Sequence, residues 1–307
     1  MRRAIPFLFV IAGRAEAEPT GSLSVGAGYS PDEELIATVR VAQDSLFHTG
    51  QRLSLDASLS KLREHFGVDY ALPMRGGLEL RTQLYYDRRE HPGFRREAAG
   101  VAVQLGEDVA PHARVAAQVR AERVDKSLTI VAAGAGATYD TRDSAIPRRG
   151  TRIDVYGEAA DPRLGSDVAM WRVRGELAHA EALGPLTVRY AERAEYVGGD
   201  VPRSERLYFG GNRDVRGYGI SDEDRGASLL ASGHLELEAP LLPHGGLALA
   251  GFADTGFSVG ETSLLRRSYG ASLIWRSPIG PLRLDYAIPL DGAFRKPRFL
   301  FWAVPGA

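Results

Sequence analysis

Polar and apolar residues alternate one by one along most of this chain. In residues 52–60, Leu53, Leu55, Ala57 and Leu59 fall on one side, and Arg52, Ser54, Asp56, Ser58 and Ser60 on the other. Leu78, Leu80, Thr82, Leu84 and Tyr86 oppose Glu79, Arg81, Gln83 and Tyr85, and Val115, Ala117, Val119 and Ala121 oppose Arg114, Gln118, Arg120 and Glu122. Ile153, Val155, Gly157 and Ala159 oppose Arg152, Asp154, Tyr156 and Glu158 in the same way, as do Leu282, Leu284, Tyr286 and Ile288 with Arg283, Asp285 and Ala287. A period of two marks a strand with unlike faces, and helical periodicity is scarce. The pattern predicts about sixteen strands, near 21–29, 34–43, 51–61, 64–73, 77–87, 95–105, 112–123, 128–140, 151–160, 168–181, 185–197, 227–239, 246–258, 267–276, 280–289 and 297–304.

The make-up of the two faces decides what surrounds them. The apolar face is rich in Ala, Gly and Leu, and the other repeatedly carries Arg beside Asp or Glu. A soluble sandwich needs large inward side chains, whereas 35 glycines and 3 methionines give little sign of a conventional packed core. Dense opposed charges suit a hydrated barrel interior, where they pair across strands while the apolar face meets lipid. The expected fold is therefore all-β, a transmembrane antiparallel barrel with an even strand number, in the outer membrane of a Gram-negative cell. A multi-helix membrane protein is excluded: mean hydropathy is -0.19, and the apolar run from Ala4 to Ala12 falls short of the roughly 18 residues a spanning helix needs.

Charge and special residues narrow the function classes. A net charge of -1 gives no electrostatic basis for binding nucleic acid. The absence of cysteine removes disulfides, thiolate metal sites and a cysteine nucleophile. Arg2 and Arg3 precede the apolar run, and Ala15-Glu16-Ala17 supplies a small-residue cleavage site, the layout of a secretory signal peptide. The expected organisation is a leader over 1–17 and a barrel over 18–307, with no room for a further domain before the first strand.

One stretch breaks the alternation. Leu207-Tyr208-Phe209-Gly210-Gly211-Asn212-Arg213-Asp214-Val215-Arg216-Gly217-Tyr218-Gly219 is glycine-rich and lies between the eleventh and twelfth expected strands. In a closed barrel it reads as a long loop folded into the lumen. Counting from Leu247 and Leu249, Asp254 falls on the lumenal side, and Glu236, between Leu235 and Leu237, also points inward. A guanidinium is suited to such carboxylates because its planar donors bind them bidentately.

Four motifs in register carry a family resemblance. Tyr139-Asp140-Thr141-Arg142-Asp143 with Pro147 and Gly150, then Val215-Arg216-Gly217-Tyr218, then Phe252-Ala253-Asp254-Thr255-Gly256, and last Ser277-Pro278-Ile279-Gly280-Pro281 are similar to segments of the outer-membrane protein assembly superfamily, the BamA/TamA-type bacterial surface antigen barrels. The resemblance implies that the sixth extracellular loop folds back so that Arg216 pairs with Asp254, with Glu236 as a second partner. It further implies a strand-turn motif at Asp140, Arg142, Asp143 and Gly150. The function implied is insertion or translocation of proteins at the outer membrane, with lipid, client outer-membrane or secreted proteins and a separate periplasmic partner as its company. The alternative is a passive pore or structural barrel that keeps the fold without assembly activity.

Two departures temper that implication. Assembly members usually carry periplasmic polypeptide-transport-associated domains, which the sequence does not show. The last strand ends in Pro305-Gly306-Ala307 rather than an aromatic, and in this family weak closure of first on last strand is linked to lateral opening. Other chemistry is thin. The seven histidines form no H-E-x-x-H pair, Asp222-Glu223-Asp224 lacks calcium-loop spacing and reads as solvent-facing, and no nucleophile pair supports a hydrolase. No enzyme activity, cofactor or metal site is expected. Trp171, Trp275 and Trp302 fit interfacial girdles.

Overall fold

The computed structural model describes residues 15–17, 21–30, 33–91, 93–211, 213–219, 224–242, 246–277, 280–291 and 296–303. After a short strand β1 (Ala15–Ala17), sixteen strands form the wall: β2 (Gly21–Ser30), β3 (Glu34–Leu46), β4 (Gln51–Leu59), β5 (Arg63–Pro73), β6 (Leu78–His91), β7 (Phe94–Ala110), β8 (Ala113–Val124), β9 (Leu128–Asp140), β10 (Gly150–Ala160), β11 (Met170–Leu183), β12 (Leu186–Gly199), β13 (Ala227–Pro240), β14 (Leu247–Gly260), β15 (Leu264–Ser277), β16 (Gly280–Pro289) and β17 (Arg298–Ala303). Each pairs antiparallel with its sequence neighbours, and β17 meets β2 to close an all-β barrel. Every strand expected from alternation is present. Several run longer than the pattern suggested. The expected strand at 77–87 continues to His91, because at the rim the ladder persists beyond the lipid, where Arg88 and Arg89 no longer need to alternate with apolar residues.

The two faces are turned as the alternation requires. Leu84, Val119, Leu235 and Leu265 are more than half exposed on the outer surface. On the lumenal face, Arg120 grips Glu158 through Nε and Nη2, both at 2.8 Å, and Tyr85 donates to Glu122 at 2.9 Å. Neighbouring guanidiniums and carboxylates thus neutralise one another across strands, which lets a polar interior exist inside an apolar shell.

The molecule departs from the sequence expectations at several places. The lumen is not hydrated throughout. At the rim bearing the 200–226 connection, Val197, Leu207, Phe209, Val215, Tyr218, Ala227 and Leu230 form a dry cluster, beside a second one built on Val124, Ile130 and Met170. Trp302 is no girdle residue: it lies on the lumenal row of β17 and donates to Asp285 at 3.3 Å. Asp224 does not face solvent but is 2% exposed, where it accepts the Phe209 and Gly226 N–H groups. Most of the expected leader (1–14), Asp222 and Glu223, Pro278 and Ile279, and the C-terminal 304–307 lie outside the described residues. Ala15–Ala17, the end of the expected leader, pair with Gly21–Leu23.

Gly150 opens β10 with φ 107°, and a Cβ placed there would stand 2.3 Å from the Thr141 carbonyl oxygen. Both the dihedral and the space demand glycine. Gly76 has φ 78° but open surroundings. Gly150→Ala is expected to destabilise the barrel by about 3 kcal/mol and Gly76→Ala by about 1. Urea unfolding from lipid vesicles, followed by tryptophan fluorescence, measures both; equal losses would contradict the steric argument.

Candidate functional site

The site is assembled from a loop tip and the lumenal rows of five strands. The described residues of the 200–226 connection follow β12, are pinned by a bridge between Leu207 and Ala227, and turn inward. Local hydrogen bonds fold the tip: Gly211 N–H donates to the Tyr218 carbonyl at 2.7 Å, and Val215 N–H to the Gly211 carbonyl at 3.2 Å. Asp214 accepts the Gly210 N–H at 3.0 Å and pairs with Arg193 at 2.8 Å. Burial raises the Asp214 carboxyl above the usual carboxylate range, against the pull of Arg193. Gly217, at φ 88°, passes so close to β16 that a Cβ would lie 3.1 Å from that of Ala287. Tyr218 reaches past it to donate to the Arg267 carbonyl at 2.9 Å and to accept the Asp291 N–H at 2.8 Å. Val215 and Tyr218 are buried in the dry cluster.

This turn aims Arg216 into the wall. Its Nε and Nη2 bind the two oxygens of Asp254 at 2.7 and 2.6 Å, its backbone N–H adds a third bond at 3.1 Å, and Nη1 reaches Glu236 at 3.0 Å. The guanidinium carbon lies 3.5 Å from the centre of the Phe252 ring. Arg216, Asp254 and Glu236 are 8%, 3% and 5% exposed, so the interaction is largely sheltered from water. Burial alone would disfavour the charged guanidinium, but Asp254 outweighs it and holds the Arg216 pKa above its ordinary value.

Several participants were not singled out from the sequence. Glu236 also receives Arg189 at 2.8 Å and Arg283 at 3.1 Å. Arg189 continues to Glu238, which Arg276 holds bidentately at 2.9 and 3.0 Å. Arg283 donates to Asp285 at 2.7 Å and to Ser272 at 2.8 Å. Four arginines (189, 216, 276 and 283) thus balance four acids (236, 238, 254 and 285). Their signal was present, since each wall residue occupies a lumenal position of its alternating strand, but alternation does not say which inward groups meet. His234 sits 3.1 Å from Asp254, and no metal-binding cluster occurs among the described residues.

The strand-turn motif lies at the opposite rim. Asp140 accepts Arg142 at 2.9 and 2.8 Å, and Asp143 accepts the Arg148 N–H at 3.0 Å. The structure does not bring these residues to Arg216. It does fold 141–149 into the barrel mouth, where Ile146 packs on Ala248, Ala250 and Ile274 and the Pro147 carbonyl accepts Arg189 Nε at 2.7 Å.

A closed lipid-facing barrel with a loop arginine buried against two wall carboxylates defines an outer-membrane barrel with a tethered internal loop. The chain belongs to the Omp85 superfamily, whose domain model matches residues 46–298. It is 28% identical to the outer membrane protein assembly factor BamA of Nitratidesulfovibrio vulgaris, over 91% of this chain and 40% of that protein, and 23% identical to BamA of Neisseria meningitidis serogroup B, over 88% and 45%. The chain therefore spans less than half the length of these curated relatives. Among solved structures, BamA of Haemophilus ducreyi lacking POTRA domains 1–3 superposes with a TM-score of 0.77 at 18% identity, covering 92% of this chain and 70% of that one. CdiB of Acinetobacter baumannii gives 0.61 at 14% identity, covering 92% and 59%. Fold and relatives place the barrel in a Gram-negative outer membrane.

Removing one member of a buried charge cluster leaves the others uncompensated, at a cost of about 3–5 kcal/mol. Arg216→Ala and Asp254→Ala are each expected to destabilise the folded barrel by that amount, and the double variant by clearly less than the sum. Denaturant titration of the refolded protein, with heat-modifiable gel migration as a second readout, tests this. Additive losses would mean that the two groups act independently.

Proposed function

We propose that this barrel assists the insertion or translocation of proteins at the outer membrane, with the Arg216 loop as its internal anchor. The observation that carries the reading is membership of the Omp85 superfamily together with relatives named as assembly factors. No covalent chemistry is required. The barrel would act by exposing a strand edge and perturbing nearby lipid, while Arg216, Asp254 and Glu236 keep the loop seated. The closure offers a place for that edge: of the six described residues of β17, Phe301 and Trp302 pair with Tyr29 and Gly28 of β2. Client proteins and a separate periplasmic partner complete the proposal.

A pore is the second reading, and a specific observation favours it. Towards the rim opposite the 200–226 connection, the lumen beside β3–β8 holds a cavity of about 640 Å³ lined by Arg40, Asp44, Arg52, Asp69 and Arg81. Such a charged, open half-lumen suits passage of small solutes.

Depletion of the protein is expected to lower the abundance of particular outer-membrane proteins, with wild-type but not Arg216→Ala restoring them. Quantitative proteomics of isolated outer membranes gives the measurement. Unchanged composition, combined with steady solute flux through the purified barrel in a planar bilayer, would replace the assembly reading with the pore.

A further inference from the structure

The outer face of the barrel carries an acidic group in an unusual place. On β12, Tyr190, Glu192, Ala194 and Tyr196 share the exposed row, while Arg189, Arg193 and Glu195 bind lumenal partners. Outward-facing charges on the other described strands, such as Glu64, Arg88, Glu181 and Arg267, lie within four residues of a strand end. Glu192 instead lies near the middle of a strand of 14 residues. Two aromatic pairs bracket it: Tyr190 with His179 at 5.1 Å towards one rim, and Tyr196 with Trp171 at 4.9 Å towards the other. Aromatic girdles mark the two interfaces of a membrane barrel, so Glu192 sits in the hydrocarbon between them.

The groups around it point to an occupant. In register, Glu192 stands opposite Gly233, and Gly233 opposite Thr255. Neither the Glu192 carboxyl nor the Thr255 hydroxyl has a hydrogen-bond or ion-pair partner among the described residues. Gly233 and Ala231 lie on the strand between the two polar side chains and, with Ala194 and Gly175 to one side, line a notch of about 490 Å³. Acyl chains offer no hydrogen bond, and an acidic side chain on the lipid face costs free energy unless something pairs with it. Small residues at such a place let another backbone approach closely.

A hydrogen-bond acceptor and a donor flanking one glycine are complementary to themselves. A two-fold axis along the membrane normal exchanges left and right on facing surfaces, so Glu192 of one copy meets Thr255 of the other. Because strands lean by about 40°, the two groups, roughly 10 Å apart along the row, differ by about 6 Å in depth. An extended glutamate plus one hydrogen bond spans that offset. We propose that this notch is the contact surface of a two-fold dimer of the barrel, with the copies meeting at Gly233 and Glu192 bonded to Thr255 across the interface in both directions.

The chain has no cysteine, so Ala231→Cys supplies one thiol per copy. A short bismaleimide applied to native outer membranes is expected to give a covalent dimer, and Leu84→Cys, on a distant part of the outer face, to give none. Sedimentation equilibrium in detergent should show self-association weakened roughly tenfold by Glu192→Leu and retained by Glu192→Gln, whose amide still hydrogen-bonds. Unchanged heat-modifiable migration checks that Glu192→Leu, an apolar change on the lipid face, leaves the barrel folded. A wild-type protein that stays monomeric, an Ala231→Cys product linked only to a different protein, or a Glu192→Leu variant that associates as tightly as wild type would each overturn the proposal.

Discussion

Seating a charged loop inside a membrane barrel depends on the burial of Arg216 against Asp254 and Glu236. A buried guanidinium forfeits its hydration, and only well-placed acceptors restore it. Asp254 takes two of its donors, Glu236 takes another, and Phe252 lies beneath its face. The last contact adds attraction to the electron-rich ring without needing a further acid. Gly270 makes it possible: a Cβ there would stand 2.6 Å from the tip of the Phe252 ring. The glycine at the loop tip and the glycine under the ring therefore serve one end, close approach of a cation to its partners.

The fold was legible in the sequence because lipid and lumen impose opposite demands on alternate residues. All sixteen strands follow from that contrast, and so does the inward direction of Asp254 and Glu236. What failed to show were features set by contacts between distant strands. Arg189, Arg276 and Arg283 were readable as lumenal but not as members of one cluster, since the sequence does not reveal which inward residues lie at the same depth. The dry cluster around Phe209 was hidden for a related reason: loop residues carry no periodicity, so Leu207, Phe209 and Val215 gave no sign of packing against Val197 and Leu230. Trp302 misled because tryptophan suits both a girdle and a lumenal hydrogen bond, and only the register with β16 decides between them.

The lumen is filled unequally. The 200–226 connection enters from one rim and the 141–149 segment from the other, and they meet on the same side of the barrel. Arg189 links them, donating to the Pro147 carbonyl as well as to Glu236. Across the lumen the wall segment around Arg40, Asp44, Arg52, Asp69 and Arg81 faces an open cavity, so polar groups there are more open to water than those near Arg216. The same kinds of side chain therefore do different work on the two sides. In the open half a lost ion pair can be rehydrated, whereas in the filled half it leaves an unpaired buried charge.

That distinction extends to the barrel's closure. From Arg216 the contacts pass through Glu236 to Arg283, on to Asp285, and then to the indole of Trp302 on β17. Trp302 is one of the two described residues through which β17 pairs with β2. The loop and the closing strand are thus joined by a sequence of buried, charge-balanced hydrogen bonds. Withdrawing Arg216 would leave Glu236 to be shared by Arg189 and Arg283 alone, which alters the pull on Arg283 and hence on the carboxylate that orients Trp302. Loop seating and strand closure are in this sense parts of one electrostatic unit, and a change at either end falls on the other through groups that cannot turn to water instead.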